Sequence, residues 1–316
     1  MVFGAIGASY NACIPTTNYL AAHKIPAQLV DAAELLHYTF DAYPREALFV
    51  LVSQSGESIE IKKLISRIKE RGSRIIGVTN KPDSTLAGEA DIHLWINSPK
   101  DHSVAIQTYS GGSLVLCLLG ICAYTGGIEE YLQEINGVIQ SADQVLEKFT
   151  HKSLDWQPIL EEACVLHLLA RGSSMATALE GALILNEVAK IPAVAMGAGA
   201  FRHGSVEVVD KDFRGFIFAP EDATRQLNIG LAENLVAFGG KAIVIGPGDS
   251  RRDQPGLFWW SLPRVSPFLA PILEILPIQL ATYQLAESRG IEPGSFRYLG
   301  PVNTDEIEFS GVGRDV

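Results

Sequence analysis

Six consecutive residues, Ser53-Gln54-Ser55-Gly56-Glu57-Ser58, combine hydroxyl, amide and glycine groups without a lysine or arginine. A continuous apolar run, residues 47–52, precedes them, and an amphipathic run, residues 59–71, follows. They therefore form a strand-to-helix turn. Such a turn presents the unpaired N–H groups of a helix N-terminus, and small hydroxyl side chains beside them let phosphate oxygens approach the backbone. Hydrogen bonds and the helix dipole would hold an anion there without ion pairing. The same composition also suits an ordinary serine-rich N-cap. Further along, Glu180, Glu187 and His203 are residue types for proton chemistry. A partly desolvated carboxylate can take a proton from carbon beside a carbonyl, and imidazole gains and loses one near neutral pH. Read alone, Glu187 also suits a helix surface, Glu180 a carboxylate satisfied by nearby backbone, and His203 a loop or cap.

The elements that must position these residues alternate in type. Residues 1–6 form an apolar strand ending in the small-residue turn Gly7-Ala8-Ser9. Residues 47–52, 73–79 and 92–96 are further strands, and 59–71 is a helix with apolar positions at Ile61, Leu64, Ile65 and Ile68 and Gly72 just after it. After a helical stretch over 129–152 the cycle restarts: strand 165–170, the turn Arg171-Gly172-Ser173-Ser174, helix 176–190, and strands 215–219 and 241–245. A long apolar helix over 270–289 follows, which Pro271 and Pro277 are expected to bend or interrupt. This order predicts right-handed βαβ units, three-layer α/β/α sandwiches and an internal duplication with its boundary near residues 130–155. We divide the chain into residues 1–140 and 141–316. Trp259 and Trp260 beside a strand suit core packing.

The 316 residues carry a formal charge of -11, with 47% hydrophobic and 19% charged residues. That length allows two cores, and that charge argues against a nucleic-acid partner, whose phosphates need clustered Lys and Arg. No GxGxxG or GxxxxGK[ST] motif follows a strand, which removes the common nucleotide-binding turns. Cys13, Cys117, Cys122 and Cys164 lack CxxC or zinc-ligand spacing and are expected as reduced, mostly core cysteines of a cytoplasmic protein. His23, His37, His93, His102, His151 and His167 show no ligand spacing and are expected to be structural. No signal peptide opens the chain, and the longest apolar stretch, near residues 114–123, is too short to span a bilayer, so no membrane partner is expected.

Ser53-Gln54-Ser55-Gly56-Glu57-Ser58 after a strand closely resembles the phosphosugar loop of the sugar isomerase (SIS) domain family. Within that family it resembles the loop of the isomerase half of glucosamine-6-phosphate synthase, and the same loop type occurs in the fructosamine-6-phosphate deglycases. Gly7-Ala8-Ser9-Tyr10-Asn11 resembles that family's first loop, and Ala178-Leu179-Glu180-Gly181-Ala182 with Glu187 and Phe201-Arg202-His203-Gly204 resemble its second-half motifs. The likeness runs in order from Gly4 to Tyr298. It implies two tandem SIS domains, each with a mainly parallel five-stranded, flavodoxin-like sheet. It also implies that Ser53, Gln54, Ser55 and Ser58 hold a sugar phosphate, that Ser9 faces the sugar, and that Val104 and Ala105 line the site. Glu187 would be the base moving a proton between C1 and C2 of an open-chain sugar. His203 would assist ring opening from a neighbouring subunit of a homodimer, and Glu180 would orient substrate or base. No metal or redox cofactor is implied.

Several positions depart from the family pattern. Ile184 stands where the synthase has a lysine between its two helix carboxylates, and Tyr298 where its tail lysine reaches the sugar. Ala200 replaces an acidic residue, Ser205 a proline, and Glu207 matches some deglycase-like members. With no N-terminal cysteine nucleophile, glutaminase activity is not expected. The reading is an isomerase or deaminase acting on a ketose or amino-sugar 6-phosphate. The alternatives are a fructosamine-6-phosphate deglycase and a non-catalytic phosphosugar sensor.

Overall fold

Strands that are apolar on both faces must be covered by helices on both faces, and the computed structural model of the chain shows that arrangement twice. The structure describes residues 1–152, 157–160, 163–248 and 254–298. Two compact units emerge: Met1–Gly127 with residues 294–298, and Ile128–Pro293.

The first unit runs β1 (Val2–Ala5), α1 (Ala8–Ala22), β2 (Gln28–Asp31), α2 (Ala32–Glu34), β3 (Leu48–Val52), α3 (Ile59–Arg71), β4 (Arg74–Thr79), α4 (Thr85–Glu89), β5 (Ile92–Trp95) and α5 (Gln107–Thr125). Its strands are all parallel, in the order β2-β1-β3-β4-β5. The chain goes from β1 to one side and returns to the other, so the order reverses between β1 and β3. Ala5 is the register partner of Val52, and the loops after both strands therefore leave the same edge side by side. Ligand sites of open parallel sheets lie at such a switch point.

Helix α3 shows why the sequence folds this way. Ile61, Leu64, Ile65 and Ile68 fall on one stripe and are buried against Val2, Leu35, Phe40, Phe49, Leu51 and Ile75. Gly72 ends the helix in the left-handed conformation. On the opposite face α5 packs on α1, and Gly120 permits the close approach, since a Cβ there would lie 3.1 Å from Thr16 Cγ2. The apolar run near 114–123 is thus the middle of a longer helix, and by length and composition α5 could cross a membrane. Buried Tyr109, Ser113, Leu116, Cys117 and Ile121 make it a core helix of this unit.

The second unit runs α6 (Leu132–Lys152), α7 (Gln157–Leu160), β6 (Leu166–Ala170), α8 (Met175–Ile184), β7 (Ala193–Gly197), α9 (Ala198–Phe201), β8 (Arg214–Phe218), α10 (Arg225–Ala237), β9 (Lys241–Gly246), β10 (Leu257–Ser261) and α11 (Ala270–Ser288). The sheet order is β10-β9-β8-β6-β7, again all parallel, which repeats the topology of the first unit strand for strand. The expected doubled α/β sandwich is therefore present. Trp259 and Trp260 lie in β10, both 5% exposed, with Trp260 tilted against Phe149 and Phe216.

Three expectations change. Pro277 does not interrupt α11, which continues through it; Pro271 stands in the first turn, where its missing N–H has no partner to lose. The helix expected over 176–190 ends as an α-helix at Ile184 and continues as a π-turn, Leu185–Ala189. Only Cys13 and Cys117 are core cysteines, whereas Cys122, in the last turn of α5, and Cys164 are exposed. Of the histidines, His167 stacks on Phe213 at 4.6 Å and His23 lies 4.0 Å from Tyr124; the side chain of His151 lies outside the described residues.

Because Leu64 is fully buried and Glu70 on the same helix is exposed, the two should respond differently to truncation. Leu64→Ala should cost about 2–5 kcal/mol in denaturant unfolding, and Glu70→Ala less than ~0.5 kcal/mol.

Candidate functional site

The turn after β3 is built on β4 and the loop that follows it. Ser53 N–H donates to Val78 O (3.0 Å), and Gln54 O accepts from Asn80 N–H and Thr79 Oγ1 (3.1 Å each). Gly56 O accepts from Leu86 N–H at 3.2 Å. Inside the turn, Ser53 Oγ accepts from Gly56 N–H (3.1 Å) and Ser55 Oγ from Glu57 N–H (3.2 Å), while Ser53 and Ser58 hydroxyls lie 3.3 Å apart. Gly56 has φ +65°, and a Cβ there would stand 2.2 Å from Ser84 Oγ, so glycine is required on both counts. A trans peptide points its carbonyl and the next N–H in opposite directions. With Gln54 O turned toward Thr79 and Asn80, the Ser55 N–H must face away from β4. Among the described residues the amides of Gln54, Ser55 and Ser58 make no hydrogen bond. They form, with the first turn of α3, a set of donors fit for an anion.

Glu57 points the other way. Its carboxylate accepts from Thr85 N–H (2.6 Å) and Thr85 Oγ1 (3.0 Å), with Lys62 Nζ at 3.5 Å. The Thr85 amide, ahead of the Thr85 hydroxyl and Lys62, holds the Glu57 carboxyl below the ordinary carboxylate range. Asn80 in turn clasps Ser98 through Nδ2 to Ser98 O (3.0 Å) and Ser98 N–H to Oδ1 (2.9 Å).

The other residues predicted for this unit lie on the same framework. Ser9 stands in the first turn of α1, on the loop that leaves beside Ser53–Ser58. Val104 is buried and Ala105 half-buried just before α5, whose first amides at Gln107 and Thr108 are capped by Asp101 (2.9 and 3.2 Å). Ser103 Oγ donates to Gly294 O, tying residues 294–298 to this loop. Tyr298 is 68% exposed.

In the second unit, Glu180 is fully buried in α8. Glu187 is half-buried in the π-turn, whose i→i+5 bonding puts more residues in each turn and so makes it lag behind the phase a straight α-helix would give it. Burial pushes the Glu187 carboxyl up, with the nearby Lys190 charge partly opposing. Lys190 closes the turn at φ +54°, its Nζ donating to Glu187 O, and Asn186 holds Ala193 of β7 through 3.0 and 3.3 Å bonds. His203 is exposed after α9, its N–H on Ala200 O at 2.9 Å. Such a carboxyl suits proton abstraction.

Sequence reasoning missed three polar contacts. Thr85, the anchor of Glu57, lies 28 residues away with no motif to mark it. Arg171 Nε donates to Asn228 Oδ1 (3.0 Å), and that fully buried Asn228 donates to Phe218 O (2.8 Å). Glu274, buried in α11, accepts from Ser174 Oγ (2.9 Å) and Thr177 Oγ1 (3.1 Å) at the start of α8. Burial pushes its carboxyl up to about 8, despite those two bonds. A lone acid in the apolar run 269–278 was the available signal. Among the described residues no group of three His, Cys, Asp or Glu side chains could hold a metal ion.

A family model described as SIS domain matches residues 1–118 and 159–250, more than half of the chain. The isomerizing glutamine–fructose-6-phosphate aminotransferase of Pyrobaculum aerophilum is 29% identical over 306 residues, covering 95% of this chain and 50% of that protein. The one from Pyrococcus horikoshii is 28% identical over 313 residues, covering 97% and 52%. The chain thus spans about half the length of the curated relatives it matches. The C-terminal domain of glucosamine-fructose-6-phosphate aminotransferase from Francisella tularensis superposes with a TM-score of 0.83 at 22% identity, covering 92% of this chain and 85% of that one. Glucosamine-6-phosphate deaminase from Thermotoga maritima gives 0.79 at 23%, covering 96% and 89%. At these identities the solved structures carry the fold.

Glu274 makes the second unit sensitive to pH. A carboxyl raised from 4.5 to about 8 on folding holds its proton in the folded state across that interval, so stability falls as pH rises through it. Glu274→Gln, which stays neutral, should therefore show a flatter dependence of Tm on pH between about 5 and 8 than the parent. Equal slopes in thermal unfolding would refute the buried-acid assignment.

Proposed function

The chain belongs to the SIS domain family, and on that footing we propose that it is an enzyme acting on the open-chain form of a ketose or amino-sugar 6-phosphate. The observation that carries this reading is the turn after β3, whose Gln54 carbonyl is tied back to the end of β4 and whose Gly56 carbonyl is tied to α4, while its amides at Gln54, Ser55 and Ser58 remain available for a phosphate. On the family resemblance, Ser53, Gln54, Ser55 and Ser58 hold the phosphate, Ser9 faces the sugar, and Val104 and Ala105 line the site. Glu187 takes a proton from the carbon beside a carbonyl or imine and returns it to the neighbouring carbon; the electron pair passes through an enediol or enamine between the two steps. Its raised pKa supports that role, because a base is most effective when its pKa approaches working pH. His203 assists ring opening, and its exposure is compatible with service to a partner subunit in a homodimer. Glu180 orients the substrate or the base.

Deglycation of a fructosamine 6-phosphate is a second reading, favoured by Ile184. This residue is 1% exposed and apolar where the resemblance places a lysine, so that turn of α8 supplies no amine. Residual Glu187 and His203 weigh against a purely sensory role.

Incubation with fructose 6-phosphate, glucosamine 6-phosphate and fructosamine 6-phosphates, followed for hexose phosphate, ammonia or amino acid, separates the reactions. Glu187→Gln should bind the active sugar phosphate as the parent does while turnover falls by about 10²–10⁴. In the parent, kcat should rise with pH through a pKa above the ordinary carboxylate value of 4.5, since the base works deprotonated. Full turnover in the variant would remove Glu187 from the reaction.

A further inference from the structure

We infer that Glu57 is a positioning residue for phosphate recognition, acting through Thr85 to fix the direction of the loop amides without touching the ligand. This rests on the phosphosugar reading of the same loop.

Four attachments determine how the turn faces. Three use loop backbone: Ser53 N–H on Val78 O, Gln54 O on Thr79 and Asn80, and Gly56 O on Leu86 N–H. All three secure residues 53–56. Beyond Gly56 the chain must still turn into α3; among the described residues the hydrogen bonds that hold residues 57–58 to α4 come from the Glu57 side chain, with both oxygens on Thr85 (2.6 and 3.0 Å), and the next tie between α3 and α4, Lys69 with Glu89, lies three turns further on. The Glu57 N–H is meanwhile spent on Ser55 Oγ, so the position of Glu57 sets the orientation of the Ser55 hydroxyl. Releasing the carboxylate frees the residue that links the phosphate-facing hydroxyls to the start of α3, including Ser58. Its ion pair with Lys62 at 3.5 Å is half-exposed and adds little hold. The paired amide and hydroxyl of Thr85 are a bidentate, charge-assisted contact, which is the strong kind. A flexible loop must lose conformational freedom when it binds, and a loop held in the binding geometry beforehand loses less. Glu57 therefore acts on affinity for the phosphate and leaves the proton-transfer step alone.

The test is a comparison of Glu57→Ala, Glu57→Gln, Thr85→Val and the Glu57→Ala/Thr85→Val double variant. Kd is measured by calorimetry for fructose 6-phosphate and inorganic phosphate, KM and kcat for whichever sugar phosphate the parent turns over, and Tm for each. Glu57→Ala should raise Kd and KM for the phosphorylated ligand by about tenfold or more, the worth of a hydrogen bond to a charged group. Its kcat should stay within about twofold. Glu57→Gln, which keeps an acceptor for the Thr85 amide, should recover part of the loss, and the double variant should be no worse than Glu57→Ala because both changes cut one contact. If Glu57→Ala lowers Tm severely, the Gln and Val variants decide by the same Kd and KM readings. A parent that binds fructose 6-phosphate beside variants of unchanged Kd and KM would overturn the positioning role alone. A fall in kcat at constant KM would overturn it as well. A parent that binds neither fructose 6-phosphate nor phosphate would instead remove the phosphosugar reading on which it rests.

Discussion

A peptide group cannot turn its carbonyl and its following amide to the same side, and the first unit depends on that constraint. The Ser55 amide faces outward because Gln54 O faces inward, and that carbonyl faces inward because β4 lies beside β3 in the sheet. Val78, Thr79 and Asn80 stand where they do only through the register that pairs Val52 with Val78. The sheet order thus decides the chemistry of the turn. A net charge of -11 is no obstacle to anion recognition on such terms, since the donors are neutral and the helix supplies its own positive end.

The second unit repeats the strand order and abandons this device. The turn after β8, the counterpart of 53–58, reads Pro220-Glu221-Asp222-Ala223-Thr224. Asp222 Oδ1 accepts from Thr224 N–H (2.7 Å), and Arg225 is spent on Ala219 O and Glu221. The amides of Asp222 and Thr224 are satisfied within the turn, and Glu221 and Asp222 add negative charge there, which disfavours a phosphate. The charged residues of interest have moved instead to α8, its π-turn and the segment after β7. One topology thus carries two different sets of polar residues, as expected when function resides in loops and helix ends grafted on a common frame.

What could be read in the sequence follows the physics of burial. Strands β3, β4, β6, β8 and β9 lie inside the sheets and are nearly continuous apolar runs, and the stripe on α3 is regular, so all were legible. Strands β2 and β7 are short, half-exposed edge strands with little apolar signal, and they were not. The π-turn was invisible because Leu185-Asn186-Glu187-Val188-Ala189 is ordinary helical sequence; its geometry comes from the left-handed Lys190 and the Asn186 clasp on β7. The serine turn was legible from composition and place alone. Its Thr85 anchor was not, because a contact between residues 28 apart leaves no periodic trace. Roles for Glu187 and His203 came from resemblance, since neither residue type nor spacing separates them from a surface carboxylate and a loop histidine.

Three carboxylates show how environment assigns work to one functional group. Glu57 meets a backbone N–H and a hydroxyl at the surface, and its pKa is lowered, so it stays an anion and serves as an anchor. Glu187 is half-buried with a lysine charge close by, and its pKa is raised, the condition a general base requires. Glu274 is wholly buried between two hydroxyls and near Asp222, and at about 8 it is neutral at pH 7, able to tie α11 to the start of α8 without burying a charge. The order of these three follows desolvation: where water is lost faster than hydrogen-bond donors replace it, the proton stays on, and where donors outnumber the loss, it leaves. Since α8 begins at the Glu274 contact and ends in the turn that carries Glu187, the neutral acid fixes one end of the element whose other end bears the proposed base.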